Sequence, residues 1–431
     1  MRVLFIPWGQ ATHYFYQVPL AWAFRADGDE VRVAAQPGAA DAVKRSGMSV
    51  MVVGEGYDFM PELAAFSEES RRDMARLQAT VSSGFARYAP QNGNGTPAPA
   101  DEGRRGEIAA KRKMAIQSKL APFTRAAQVM ADEVVELART WQPELVVSDP
   151  MVLAAPLAAR AAGAPLVHVQ WGPAVHRMTG MFPGSGASPA LWPDDLRDLY
   201  ARHGTEPAAE HAAATVDSCP ASLQYAGVIP GRVPVRFIPY NGTGDAPRWL
   251  TEPPARPRVC VNWGTTTTAL AGPDSFLVPR ILDALAAFGT ETVVTITAAD
   301  RPLLGGDLPA HVRVAENLPL HLLLPTCDAI IHHGGSGTML TAASSGLPQL
   351  LISPGIMDNM ANGERIAAAG AGAALNHADA SHETITAGIK TILSDPATRH
   401  AARTLRDEIH AQPAPADITT TLRHLTTQPA T

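Results

Sequence analysis

The ten residues Ala329-Ile330-Ile331-His332-His333-Gly334-Gly335-Ser336-Gly337-Thr338 restrict the fold of this chain more than any other stretch. Ala329 to Ile331 continue a short apolar run of the kind buried on both faces of a parallel sheet. Two histidines and a Gly-Gly-Ser-Gly turn follow, and Thr338-Met339-Leu340-Thr341-Ala342-Ala343 reads as the opening of a helix. A strand, a glycine-rich turn and a helix start make an anion site. Glycines let the backbone approach a phosphate, and the unpaired N–H groups and positive end of the helix face it. Ser336 and Thr338 add hydroxyl donors, and the imidazole of His333 adds an N–H. No lysine or arginine lies in the turn, so neutral donors and the helix dipole would hold the ligand. A tight connection with no ligand would also use glycines. The adjacent histidines argue weakly for a metal, because zinc sites need about three or four ligands and no cysteine or carboxylate is suitably spaced nearby.

The N-terminus shows the same alternation. Val3 to Pro7 reads as a buried strand, Trp8 to His13 as a loop, Val18 to Asp27 as a helix and Glu30 to Ala35 as the next strand. That βαβ start predicts a Rossmann-like half. Its first loop lacks G-x-G-x-x-G, which counts against a nicotinamide or flavin domain. Ligands of such sheets sit at the carboxyl ends of the strands, where His13 falls; a loop histidine can equally cap a helix or bond a carbonyl. Asp27-Gly28-Asp29 has the D-x-D spacing of metal-dependent glycosyltransferases, but it lies at the end away from the expected cleft and reads as a solvated turn.

Further along, the part from Tyr57 to about Lys119 is irregular and contains the breaker-rich Gln91 to Gly103, which reads as a mobile loop. Helical spacing at 121–140, a strand at 143–150 carrying Asp149 at its end, a helix at 154–162 and a strand at 166–171 complete this half. Asp149 stands where an N-cap for the following helix would stand. His168 and His176 read as structural or acceptor-side, without distinction. Val228 to Pro257 is rich in proline and glycine and reads as a linker, with a plain hinge favoured over a donor contact. Arg258-Val259-Cys260-Val261-Asn262 then begins a second Rossmann-like half, with strands at 292–297 and 312–315 and a helix from Ser381. The hydroxyls of Thr265 to Thr268, after its first strand, can reach a diphosphate across a cleft or serve as an N-cap run.

With 431 residues the chain exceeds one ordinary core, and two domains are expected. Apolar residues at 46% and charged residues at 18% suit a globular protein, and a net charge of −6 argues against nucleic acid as partner. No apolar run approaches the ~18 residues of a bilayer span, and Met1 to Pro7 runs into a strand rather than a signal peptide. Three cysteines without metal spacing point to a reducing cytoplasm.

The order of motifs resembles a known family. Thr12-His13-Tyr14-Phe15 with Val18-Pro19-Leu20-Ala21-Trp22-Ala23-Phe24-Arg25, then Pro239-Tyr240-Asn241-Gly242-Thr243-Gly244, His332-His333-Gly334-Gly335 with Gly337-Thr338, Gly346-Leu347-Pro348-Gln349 and Asp358-Asn359-Met360-Ala361-Asn362-Gly363-Glu364-Arg365 are similar to the bacterial enzymes of glycosyltransferase family 1 that place deoxysugars on polyketide antibiotics. The departure is Asn359, where that family mostly has Gln. The resemblance covers about residues 1–425. It implies the α/β GT-B fold, two Rossmann-like domains facing across a cleft: an acceptor-binding domain at 1–225, a linker at 226–256, a nucleotide-sugar-binding domain at 257–408, and a tail at 409–431 whose helix packs back on the first domain.

The function it implies is inverting, metal-independent transfer of a deoxysugar from a thymidine diphosphate donor to a hydrophobic aglycone, with no cofactor besides the donor. His13 would be the catalytic base and Asp149 its orienting acid. Thr265, His333, Gly335, Ser336, Gly337 and Thr338 would hold the diphosphate, Leu318 the base through its backbone, and Asp358 and Asn359 the sugar hydroxyls. Tyr14, Phe15 and Trp171 would face the acceptor, which the irregular part of the first half would help to shape unless it is a dispensable surface loop. Some members need an auxiliary protein, so an activator or a homodimer is an expected partner. A nucleotide-sugar epimerase of the same fold and a non-catalytic helper protein are the competing readings; the presence of His13 and of the intact turn argues against the helper.

Overall fold

In a computed structural model, residues 1–62, 102–180, 182–355 and 358–427 are described. The breaker-rich stretch at 91–103 lies outside them up to Asp101; the helix Glu102–Trp141 takes in its last two residues. Two sheets organise the chain. The first has strands β1 (Arg2–Ile6), β2 (Glu30–Ala35), β3 (Val50–Val52), β4 (Leu145–Ser148), β5 (Leu166–Gln170), β6 (Ala214–Asp217) and β7 (Arg232–Pro234), in the order β3-β2-β1-β4-β5-β6-β7. The second has β8 (Arg258–Asn262), β9 (Glu291–Ile296), β10 (Val312–Glu316), β11 (Ala329–His332), β12 (Gln349–Ser353) and β13 (Gly372–Asn376), in the order β10-β9-β8-β11-β12-β13. All the pairings are parallel.

The apolar runs explain the layers. Successive side chains of a strand leave by opposite faces. Leu4, Ile6 and Val146 enter a core under the helix Glu102–Trp141, while Val3, Phe5 and Val147 enter a second core under the helix Val18–Ala26. β4, β5 and β11 are buried along their whole length, as strands covered by helices on both faces must be.

One expectation changes here and another is extended. The region expected to be linker from residue 226 supplies β7, because Val233 packs onto the second of these cores and the strand pairs with β6. Asp27-Gly28-Asp29 is the exposed turn expected at Asp27 and Gly28, but its two carboxylates are also engaged. Asp27 Oδ2 accepts from Thr419 Oγ1 at 2.7 Å and from Arg423 at 3.2 Å, and Arg423 also bonds Asp29. These two carboxylates fasten the helix Pro415–Thr426, which lays Ile418 and Leu422 into the core of the first domain. The chain therefore crosses between the domains twice, through 235–257 and through 412–414. The crossings meet where the Arg236 N–H donates to the Pro413 carbonyl at 2.7 Å and Arg236 Nε donates to the Gln412 carbonyl at 3.3 Å. Among the described residues no helix is long and apolar enough to cross a membrane.

Candidate active site

Each sheet has one place where the connections of neighbouring strands depart in opposite directions: β1 beside β4, and β8 beside β11. A crevice opens at the carboxyl ends of the strands at such a place. The two crevices face each other and form one cleft of about 550 Å³.

The loop after β1 brings His13 to this cleft on the short helical turn Ala11–Tyr14. β4 ends one residue before Asp149. His13 Nδ1 and Asp149 Oδ2 are 2.7 Å apart, and both side chains are largely buried. An ionised carboxylate only accepts, so in the neutral imidazole the proton sits on Nδ1 and Nε2 keeps its lone pair. Asp149 Oδ1 accepts the Met151 N–H at 2.8 Å. The next helix starts only at Ala155 with Ala154 as its N-cap, so Asp149 closes a local turn and does not cap that helix.

From the other domain, β11 delivers the glycine-rich turn. The helix Ser336–Ser344 starts after Gly335 with no side-chain cap and no acidic residue in its first turn. The N–H groups of Ser336, Gly337 and Thr338 thus face the cleft without intrahelical partners. The expected hydroxyl donors are engaged elsewhere. Ser336 Oγ donates to Asp358 Oδ2 at 3.0 Å and Thr338 Oγ1 donates to Asn262 Oδ1 at 3.1 Å. The groups of this turn left without a fixed partner are therefore its backbone N–H donors.

His333 is buried beside the turn. Burial pushes its pKa down to about 4, so the imidazole is neutral near pH 7 and offers an N–H without charge. The ring fits because Gly264 and Gly335 flank it: a Cβ on either would lie 2.4 Å or 2.5 Å from ring atoms. His332 faces the core, where its Nε2 meets Gln349 Oε1 at 3.0 Å, and burial lowers its pKa to about 3. Among the described residues no group of side chains is arranged to hold a metal.

Of the other predicted residues, Phe15, Trp171, Thr265, Leu318, Gly335, Asp358 and Asn359 line the same cleft. Trp171 reaches across it, Nε1 donating to Asp358 Oδ2 at 3.2 Å. Leu318 follows Asn317, which holds φ of 54°, a left-handed conformation that asparagine tolerates. Tyr14 does not belong to the site. It is fully buried in the core of the first domain, its hydroxyl 2.7 Å from Ser46 Oγ, because one step along the helical turn rotates it away from the face that carries His13. His168 and His176 are also buried, and burial lowers both to a pKa of about 3.

Sequence reasoning missed several lining groups. Tyr240, Asn241 and Thr243 of the linker face the cleft, and Asn241 bonds Thr341 Oγ1 at 3.1 Å and the His321 N–H at 2.9 Å. The similarity at 239–244 was the available signal. Arg45 is the only lysine or arginine among the described residues lining the cleft; its helix, Pro37–Arg45, follows β2, the neighbour of β1. The Tyr16 hydroxyl, buried and without a hydrogen-bond partner, lies over the turn, where a Cβ on Gly337 would meet it at 3.5 Å.

Two segments match the erythromycin biosynthesis protein CIII-like family, its N-terminal domain over residues 85–264 and its C-terminal domain over residues 279–425. The 10-deoxymethynolide desosaminyltransferase of Streptomyces venezuelae is 34% identical, over 99% of this chain and 98% of its own. Among solved structures, spinosyn forosaminyltransferase SpnP is similar with a TM-score of 0.76 at 28% identity, covering 99% of this chain and 100% of that one. Spinosyn rhamnosyltransferase SpnG complexed with thymidine diphosphate gives 0.74 at 28% identity over 98% and 100%, and SpnG has also been solved with spinosyn aglycone.

Proposed function

Because this chain belongs to the erythromycin biosynthesis protein CIII-like family of antibiotic-pathway glycosyltransferases and has their GT-B fold, we propose that it moves a deoxysugar from a thymidine diphosphate donor to a hydrophobic polyketide aglycone, with inversion and without a metal. Relatives support the two ligands: SpnG holds thymidine diphosphate in one structure and its aglycone in another. The observation that carries the reading is the His13–Asp149 dyad, 2.7 Å apart, facing an uncapped helix start across one cleft.

In the proposed reaction His13 Nε2 removes the proton from an acceptor hydroxyl. The oxygen attacks the anomeric carbon from the face opposite the diphosphate, the new C–O bond forms, and the bond to the diphosphate oxygen breaks. The charge that develops on the leaving group meets the N–H groups of Ser336, Gly337 and Thr338 and the neutral His333, donors already fixed in place. Asp358 and Asn359 bind sugar hydroxyls, Leu318 lies against the base, and Phe15 offers an apolar surface to the aglycone. What supports metal independence is that Asp27 and Asp29, the one D-x-D pair, bind the tail helix instead of the cleft.

The test is transfer in the presence of EDTA. Purified protein is incubated with thymidine diphosphate-linked deoxysugars and a panel of polyketide aglycones. Mass spectrometry should show the glycoside, and NMR an anomeric configuration opposite to the donor's. Activity that returns only with magnesium or manganese would overturn metal independence, and a retained configuration would overturn inversion. A donor epimerised without any aglycone would favour an epimerase.

A further inference from the structure

Trp171 follows β5 in the acceptor-side domain, yet its polar atom serves the other domain. Its ring lies between two imidazoles, 5.2 Å from His13 and stacked on His176 at 4.9 Å with 27° between the planes. Its Nε1–H can only donate, and it donates to Asp358 Oδ2 at 3.2 Å. The same oxygen accepts from Ser336 Oγ at 3.0 Å, and that hydroxyl in turn accepts from Asn362 Nδ2 at 2.9 Å. Among the described residues Asp358 Oδ1 has no hydrogen-bond partner. The close approach of the domains is built in at the next residue, Gly172, where a Cβ would stand 2.8 Å from Cβ and Oγ of Ser336.

A carboxylate with one oxygen held by two donors cannot swivel, and it offers its other oxygen in a fixed direction. We propose that Trp171 is a positioning residue for the donor sugar. From the acceptor side of the cleft it fixes Asp358 so that Oδ1 receives a sugar hydroxyl. Because the same ring packs against His13, recognition of the sugar and placement of the base are linked through one side chain. This deepens the proposed function and rests on its assignment of Asp358 to the sugar.

The variants Trp171→Phe, which keeps a ring and removes the N–H, Asp358→Ala, and the two combined test it. Donor KM and kcat are measured with a deoxysugar donor that the wild type turns over, and the affinity for thymidine diphosphate alone is measured by calorimetry. Trp171→Phe should raise the donor KM roughly tenfold, as one lost bond to a charged acceptor implies, and leave thymidine diphosphate affinity within about twofold. Combined with Asp358→Ala it should add nothing to the loss from Asp358→Ala alone. An unchanged donor KM in Trp171→Phe, an equal weakening of thymidine diphosphate and donor, or additive losses would overturn the proposal. If Trp171→Phe does not fold, Asp358→Ala, on the other domain, still decides: a donor KM equal to wild type removes the carboxylate from the sugar and the proposal with it. A wild type that binds no thymidine diphosphate would instead defeat the proposed function itself.

Discussion

His13 can act as a base only through Nε2, since Nδ1 carries the proton that Asp149 accepts. His13→Ala should lower the transfer rate by about 10²–10⁴, the usual cost of losing a positioned base. Thymidine diphosphate affinity should be unchanged, because the proposed anion site is on the other domain; calorimetry and single-turnover rates check both halves, and near-wild-type turnover would dismiss His13. Asp149→Asn separates orientation from folding. The amide oxygen can still accept the Met151 N–H, but its NH₂ would donate to Nδ1 and push the proton onto Nε2, the wrong tautomer. The rate should fall sharply while the thermal midpoint stays near that of the wild type; unchanged turnover would mean Asp149 serves only its turn. Both residues were legible in sequence, because a motif and the end of a strand mark them. The fate of the Ser336 and Thr338 hydroxyls was not, because their acceptors Asp358 and Asn262 lie 22 and 76 residues away. Neither was the placement of Tyr14, which depends on whether residues 11–14 form a helical turn or an extended loop.

At the scale of elements, the strands and helices around the glycine-rich turn could be read because each is a continuous apolar run or a periodic one, bounded by glycine and proline. The role of Asp27 and Asp29 could not, since their partners sit on the helix Pro415–Thr426. A helix of 12 residues is marginal by itself in water, so its docking must come from tertiary contacts. Two contacts can be ranked. Leu422 is fully buried, and Leu422→Ala should cost about 2–5 kcal/mol. Arg423 is about a third exposed, and Arg423→Ala should cost roughly 1 kcal/mol or less, even with two carboxylates beside it. Denaturant midpoints compare the two, and limited proteolysis of the tail locates the loss. A larger effect from Arg423→Ala would mean that charge, not burial, holds the helix.

For the whole molecule, both domains bury neutral histidines: His168 and His176 at a pKa of about 3 and His211 at about 4 in the first, His332 at about 3 and His333 at about 4 in the second. Desolvation is the main cause in each. The unfolded chain binds protons at these sites near the ordinary 6.5, before the folded chain does, so stability rises with pH across the window and is lost as pH falls below 6.5 toward 4. Each histidine removes about 1.4 kcal/mol per pH unit in that window. Denaturant midpoints should be level above pH 7 and drop steeply by pH 5, and a flat profile down to pH 5 would show that these sites accept protons without penalty. The two chain crossings have a mechanical consequence of another kind. Since Arg236 on one is bonded to Gln412 and Pro413 on the other, the two crossings are tied to each other at one place. A displacement of either crossing at that point therefore carries the other with it, and the two covalent links between the halves act there as one.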